Sequence, residues 1–350
     1  MITSDRFLEI LDAFPTVRLA VFGDFFLDKY LVIDPALNEP SLETGLDAFQ
    51  VVSIRHSPGA AGTVTSNLAA LQIGAIHAVG AIGDDGQGYE LRQGLQRRGV
   101  DMEHLLVLDE IFTPTYTKPM VIQPDGGEQE SNRLDLKNRR PLSDTVQERL
   151  IAELQAVLPE VQAVIIADQV AEPQLGVITP TVRDRLATLA AEHEDVVFFA
   201  DSRASIGEFR NVMIKPNARE AVVARFIAPD DEGAINRATT PDELGAFGRE
   251  LARRNGRPVF ITLGPDGMLV CREDSAVHVP GIPVEGPLDI CGAGDSATSG
   301  IVAALCSGAT CEEAALFGNL VASITVQQIG TTGTASPAEV LQRFLDTCGA

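Results

Sequence analysis

A chain of 350 residues, 45% of them hydrophobic, can bury a large core, and a mean hydropathy of +0.10 excludes a disordered protein. The formal net charge of −22 argues against nucleic acid and anionic membrane as partners, since both repel an acidic surface. No run approaches the ~18 apolar residues of a membrane span. The first 15 residues lack a signal-type apolar segment, and Cys271, Cys291, Cys306, Cys311 and Cys348 form no C-x-x-C pair; reduced thiols in a cytoplasmic protein are expected.

Residues 17–22 read as a first buried strand, ended by Gly23-Asp24. Residues 30–56 break the rhythm with Thr, Val and turn residues. A helix is predicted over 63–71, a strand over 76–82 and a helix over 86–98. Residues 112–133 form a second irregular segment, with Asp125-Gly126-Gly127 as a hairpin turn between 118–123 and 128–134. Helices follow at 144–157, 181–192, 218–226 and 241–254, and strands at 161–167, 196–200, 212–214 and 259–263. Two small-residue helices, 297–307 and 314–326, close the pattern. Continuous apolar strands alternating with helices predict an α/β fold, a doubly wound and mostly parallel sheet with helices on both faces. The whole chain, 1–350, reads as one domain, with the two irregular segments (about 30–56 and 112–135) as a small β-sheet lid.

Four stretches carry chemistry. In Asp289-Ile290-Cys291-Gly292-Ala293-Gly294-Asp295-Ser296, a Gly-Ala-Gly turn opens a helix. Unpaired N–H groups and the positive dipole end of such a helix suit a phosphate. An acid at that turn makes sense as an acceptor for the proton of an attacking hydroxyl; capping the helix is its plain role. Ser57-Pro58-Gly59-Ala60-Ala61-Gly62-Thr63 also runs into a helix. Lys215-Pro216-Asn217-x-x-Glu220 has the form of a capping box. Thr262-Leu263-Gly264-Pro265-Asp266-Gly267 reads as a tight turn after a strand. Three strands end in an acid, Asp24, Asp168 and Asp201, and ligands of open α/β sheets bind beyond such ends. Each acid could accept from sugar hydroxyls or cap a helix.

Taken together these motifs resemble the ribokinase-like (PfkB-type) sugar kinases, over about residues 17–337. The resemblance implies a ribokinase-like fold and phosphoryl transfer from ATP to a hydroxyl of a sugar or sugar phosphate. It makes Asp295 the catalytic base and Gly292, Ala293 and Gly294 an anion hole. It assigns Asp24, Asp28, Gly59, Ala60, Thr63, Asn67 and Asp168 to the acceptor, with Ala60 and Thr63 departing from the family's Gly and Asn. Asn217 and Glu220 fall in the N-x-x-E motif that orders Mg²⁺ through water. Thr262, Gly264 and Gly267 match the nucleotide loop, and Asn319 lies near the adenine. Asp289, Gly330 and Ser336 match the elements that hold a monovalent cation such as K⁺. The lid would cover the sugar and join two copies as a homodimer. Arg133, in Asn132-Arg133-Leu134-Asp135, stands where heptose-phosphate kinases carry R-L-D and would grip a substrate phosphate. Within the family the chain is most similar to the kinase half of bacterial heptose 7-phosphate kinase/adenylyltransferases, departing from it at Gln169-Val170-Ala171-Glu172, where a Tyr and a Lys are usual.

Other classes fare worse. A nicotinamide-dependent oxidoreductase needs G-x-G-x-x-G after the first strand, and Gly23-Asp24-Phe25-Phe26 is unlike it; no Walker motif occurs. A nucleotide-binding regulator without turnover would keep the fold, but the intact Asp295 speaks against it.

Overall fold

The computed structural model describes residues 2–225, 240–330 and 332–347. Cys348, and Phe226 at the end of the helix expected over 218–226, lie outside the described residues. In chain order the strands are β1 (Arg18–Gly23), β2 (Phe25–Ile33), β3 (Glu39–Pro40), β4 (Asp47–Ala48), β5 (Val51–Ala60), β6 (Ala75–Gly83), β7 (Leu105–Leu108) and β8 (Thr115–Ile122). They continue with β9 (Glu128–Glu130), β10 (Leu134–Leu136), β11 (Ala163–Asp168), β12 (Val197–Ser202), β13 (Met213–Ile214), β14 (Val259–Thr262), β15 (Gly267–Cys271) and β16 (Ala276–Pro280). Among the described residues the main sheet has nine strands in the order β16-β15-β14-β13-β12-β11-β1-β6-β7. From β14 to β7 the pairings are parallel, whereas β15 and β16 add an antiparallel edge beyond the expected strands.

Burial explains the layering. Val21, Ile165 and Phe199 point into one core, while Ala20, Phe22, Val164, Ile166, Phe198 and Ala200 point into the other. This is the two-residue period of a sheet covered on both faces. Helices Ala61–Ala70, Ala293–Cys306 and Cys311–Thr325 cover the first face; Asp144–Val157, Pro180–Glu192 and Pro241–Asn255 cover the second. Several helices begin where side-chain caps predict. Ser143 accepts from the Val146 N–H, and Thr240 with Glu243 forms a reciprocal box. Two helices had no counterpart in the sequence reading, Ser4–Ala13 and Pro337–Thr347. They meet through a ring stack in which Phe7 lies 3.9 Å from Phe344 and 4.4 Å from Phe317.

The small sheet follows the order β10-β8-β2-β5, with β9 on β8. It is larger than the expected lid, because β2 starts at Phe25 and β5 runs to Ala60. The Asp125-Gly126-Gly127 turn joins β8 to β9 as expected, with the Gln123 N–H donating to the Gly127 carbonyl at 2.7 Å and Gly126 at φ 84°. One residue, Asp24, separates β1 of the main sheet from β2 of the lid.

Candidate active site

Helix Ala293–Cys306 opens as the glycines require. Gly292 caps it at φ 77°, and a Cβ there would come within 2.8 Å of Thr332 Cγ2 and 3.5 Å of Thr63 Cγ2. The two helix starts singled out in the sequence therefore meet at one point. The anion hole differs in detail from the expectation: the Ala293 N–H donates to the Ile290 carbonyl at 3.2 Å. Among the described residues, the N–H groups of Gly292, Gly294 and Asp295 carry no acceptor, so those three point the free donors of the helix mouth.

Asp295 stands in the first turn of this helix, half-buried. Burial pushes its carboxyl up to about 7; Asp201 adds repulsion, Lys215 opposes it, and Asp28 adds a smaller push upward. A carboxylate near neutrality is matched to taking a proton from a hydroxyl. Beside it, buried Lys215 reaches Asp201 Oδ2 with its Nζ at 2.8 Å, and Thr298 Oγ1 donates to the same oxygen at 3.3 Å. Burial presses the Lys215 ammonium down, but Asp201, Asp295 and Glu220 outweigh it and hold the pKa above its ordinary value. A Cβ on Gly294 would lie 3.5 Å from Lys215 Nζ, so a fixed cation borders the free N–H groups. Lys215 stands outside the candidate residues that the motifs single out. Its signal was a lysine closing an apolar strand directly before a capping box.

That box forms as drawn: the Asn217 N–H donates to Glu220 Oε2 and the Glu220 N–H to Asn217 Oδ1, both at 2.8 Å. Glu220 Oε1 keeps no partner among the described residues, which leaves one carboxylate oxygen for a water of a hydrated Mg²⁺. Burial raises the Glu220 carboxyl above its ordinary value. Thr262 bridges to Asn217 across the sheet end, and Gly264 (φ 63°) and Gly267 (φ 94°) shape the β14–β15 turn beside it. Asn319 lies on helix Cys311–Thr325. It is buried, and its Nδ2 donates to the Pro280 and Val279 carbonyls at 3.0 and 3.3 Å, tying its helix to β16. Asp289 brackets the catalytic loop, accepting from the Cys291 N–H (3.0 Å) and the Gly330 N–H (3.1 Å). Both its oxygens are thus in use, and a cation there would rest on backbone carbonyls. Ser336 caps helix Pro337–Thr347 with Glu339, a structural task that accounts for its hydroxyl and N–H.

On the acceptor side the structure sorts the expected residues into two groups. Asp28 lies 3.6 Å from Lys118 Nζ, and burial lifts its carboxyl above the usual range against the pull of Lys118. Gly59 leaves room for it, since a Cβ would meet Asp28 Oδ2 at 2.6 Å. Thr63 sits against Gly292, as described. Asp24, Asn67 and Asp168 are buried and carry internal hydrogen bonds. Asp24 accepts the N–H groups of Gln169 (2.9 Å), Val170 (3.1 Å) and Val177 (2.7 Å) and so anchors the loop after β11. Asn67 is fully enclosed and donates to the Thr63 carbonyl at 3.0 Å. Asp168 accepts from Ser202 Oγ at 2.6 Å, and burial, with Asp24 close by, pushes its carboxyl up to about 7. Ala60 takes φ 53°, ψ −118°, a region that suits the Gly found there in the resembled family. Arg133 forms a two-point pair with Asp135 (2.6 and 2.9 Å) and stacks 4.1 Å over the Tyr116 ring.

A doubly wound sheet with a β lid, a helix mouth with free N–H groups, a near-neutral acid and an adjacent buried lysine define a phosphoryl-transfer enzyme of the sugar kinase type. The chain matches the pfkB family of carbohydrate kinases over residues 25–339 and belongs to that family. It is 28% identical over 328 residues to the bifunctional protein HldE of Trichlorobacter lovleyi, covering 93% of this chain and 62% of that protein. It is 29% identical over 339 residues to HldE of Pelobacter propionicus, covering 95% and 64%. The chain thus spans less than two thirds of the length of these relatives. Two solved structures share the fold: Arabidopsis thaliana ribokinase complexed with ribose and ATP (TM-score 0.65, 18% identity, 93% of this chain and 98% of that one) and Escherichia coli phosphofructokinase-2 with fructose-6-phosphate (0.66, 17%, 95% and 99%). Among the described residues no helix is long and apolar enough to cross a membrane.

Proposed function

We propose that this carbohydrate kinase transfers the γ-phosphoryl group of ATP to a hydroxyl of a sugar phosphate of the heptose 7-phosphate type. The observation that carries the reading is Asp295, near neutrality, at a helix mouth whose free N–H groups adjoin buried Lys215. Asp295 takes the hydroxyl proton as the oxygen attacks phosphorus. The N–H groups of Gly292, Gly294 and Asp295, with Lys215, stabilise charge on the transferred group, and such transfers depend chiefly on positioning and electrostatics. Mg²⁺, ordered through water by Glu220, neutralises the triphosphate when bound; K⁺ near Asp289 and Gly330 would firm the loop that carries the anion hole. Arg133 on the lid and the Asn132–Asp135 run favour a phosphorylated acceptor. A second copy docking on the lid is part of this reading, because the β3–β5 region exposes Leu46, Phe49, Val52 and Ile54 to solvent. The test is ADP release with ATP, Mg²⁺ and either a heptose 7-phosphate or the same heptose without phosphate. Turnover of the phosphorylated sugar at a clearly higher kcat/KM is expected; preference for the free heptose would overturn the acceptor assignment, and sedimentation of a monomer would remove the dimer.

A further inference from the structure

A second feature lies between the lid and the loop after β11. A pocket of about 150 Å³ is walled by Phe26 and Tyr116 from the lid, Val170 from the loop and three cations, Arg133, Lys137 and Arg203. Lys and Arg make up 27 of 350 residues in this acidic chain but three of the twelve that line this pocket, so the positive charge is concentrated here. Two of the cations are already engaged, Arg133 by Asp135 and Lys137 by Glu172 at 3.3 Å. Arg203 is exposed and its guanidinium has no hydrogen-bond or ion-pair partner among the described residues. Its backbone is fixed, since its N–H donates to the Asp168 carbonyl at 2.9 Å, directly beside the loop that Asp24 anchors.

Two of the lining residues adjoin groups of the reaction centre along the chain: Phe26 is two residues from Asp28 on β2, and Arg203 is two residues from Asp201, whose Oδ2 lies 3.7 Å from where a Cβ on Gly294 would stand. We infer that Arg203, with Lys137 and Arg133, forms the subsite for the phosphate of the acceptor, Arg203 being the specificity-determining residue. The inference rests on the proposed sugar-phosphate reading and adds the place where that phosphate is read. A doubly charged phosphate is favoured over a carboxylate, because three cations with two engaged acids leave room for the acids to swing away and two or more charge-assisted bonds to form. Arg203 supplies its cation to this pocket from the end of β12, beside the loop after β11.

The experiment measures KM and kcat for ATP and for a heptose 7-phosphate in Arg203→Ala, Arg203→Lys and Lys137→Ala. KM for the sugar phosphate should rise about 10–100-fold in Arg203→Ala, with partial recovery in Arg203→Lys, while kcat and KM for ATP stay within about threefold. A matched titration of inorganic phosphate into protein saturated with an imido analogue of ATP should show binding in the wild type that Arg203→Ala weakens at least fivefold. A wild type that prefers the phosphorylated sugar together with an Arg203→Ala variant of unchanged acceptor KM overturns the subsite and leaves the sugar-phosphate reading standing. An effect of Arg203→Ala on ATP alone overturns it as well, placing the guanidinium on the nucleotide. Wild-type preference for the free heptose, or for a sugar acid, sinks the reading on which the subsite rests.

Discussion

The floor of the cleft and its lid are built in opposite ways. On the floor, buried Lys215 is held against half-buried Asp201 with half-buried Asp295 nearby, and free backbone N–H groups of one helix mouth border them. Towards the outer edge of the lid, charge sits on long side chains in two-point pairs nearer the surface, such as Arg133–Asp135 and Arg55–Glu128, although Asp28 and Lys118 are buried deeper in the same sheet. Buried charges set chemistry because little solvent screens them, whereas exposed pairs are weak and easily exchanged for a ligand. The floor therefore specifies a reaction and the lid a partner for it. Substitutions on the floor should change kcat, and those in the lid should change the acceptor KM.

The strongest break of this comparison is Asp295→Asn. It should lower kcat by roughly 10²–10⁴ with nucleotide affinity within a few fold, read by steady-state kinetics and nucleotide titration; near-normal turnover would show that the floor does not hold the base. Arg133→Ala is the corresponding lid change. It should raise KM for a phosphorylated acceptor by roughly 10–150-fold, the worth of charge-assisted bonds of about 1.5–3 kcal/mol, and leave ATP untouched; a fall in kcat instead would blur the two regions.

Protonation sharpens the floor further. Because burial lifts the Asp295 carboxyl to about 7, its base form is lost as pH falls through that value. The profile of kcat should drop about tenfold per pH unit below 7, and a flat profile down to pH 5 would exclude this acid. Glu220→Gln keeps the capping box, so melting temperature should hold while the Mg²⁺ concentration for half-maximal rate rises a few fold. A drop in melting temperature with unchanged Mg²⁺ demand would leave Glu220 a purely structural residue. The smallest effect belongs to Ala60→Gly at the end of β5. Relief of the positive φ should outweigh glycine's greater unfolded-state freedom and stabilise the protein by about 1 kcal/mol, a rise of about 2 °C in Tm.

What could be read from the sequence follows the same division. The helix Asp144–Val157 was predicted to the residue, since a Ser cap and an amphipathic period are local signals. The opening of helix Ala293–Cys306 was equally legible from three small residues. Asp24 was legible as a strand-end acid, but its three N–H donors were not, since they belong to residues 145 to 153 positions away. Asn67 and Asn319 were legible as candidate ligands, but not the internal hydrogen bonds they make from buried positions to Thr63 and to β16. The helices Ser4–Ala13 and Pro337–Thr347 escaped because their partners are each other and helix Cys311–Thr325, through Phe7, Phe344 and Phe317. Arg203 gave no motif at all, and only the closing of the lid sheet over the β11 loop makes it part of a pocket.

The single residue between β1 and β2 has a mechanical consequence. Asp24 joins the main sheet to the lid without any slack, its own side chain is bolted to the β11 loop by three N–H groups, and its carbonyl accepts from Ala61 at the head of the next helix. A torque applied to the lid passes through this one joint. The lid sheet, the loop after β11 and the helix carrying Thr63 are thereby geared together at one residue.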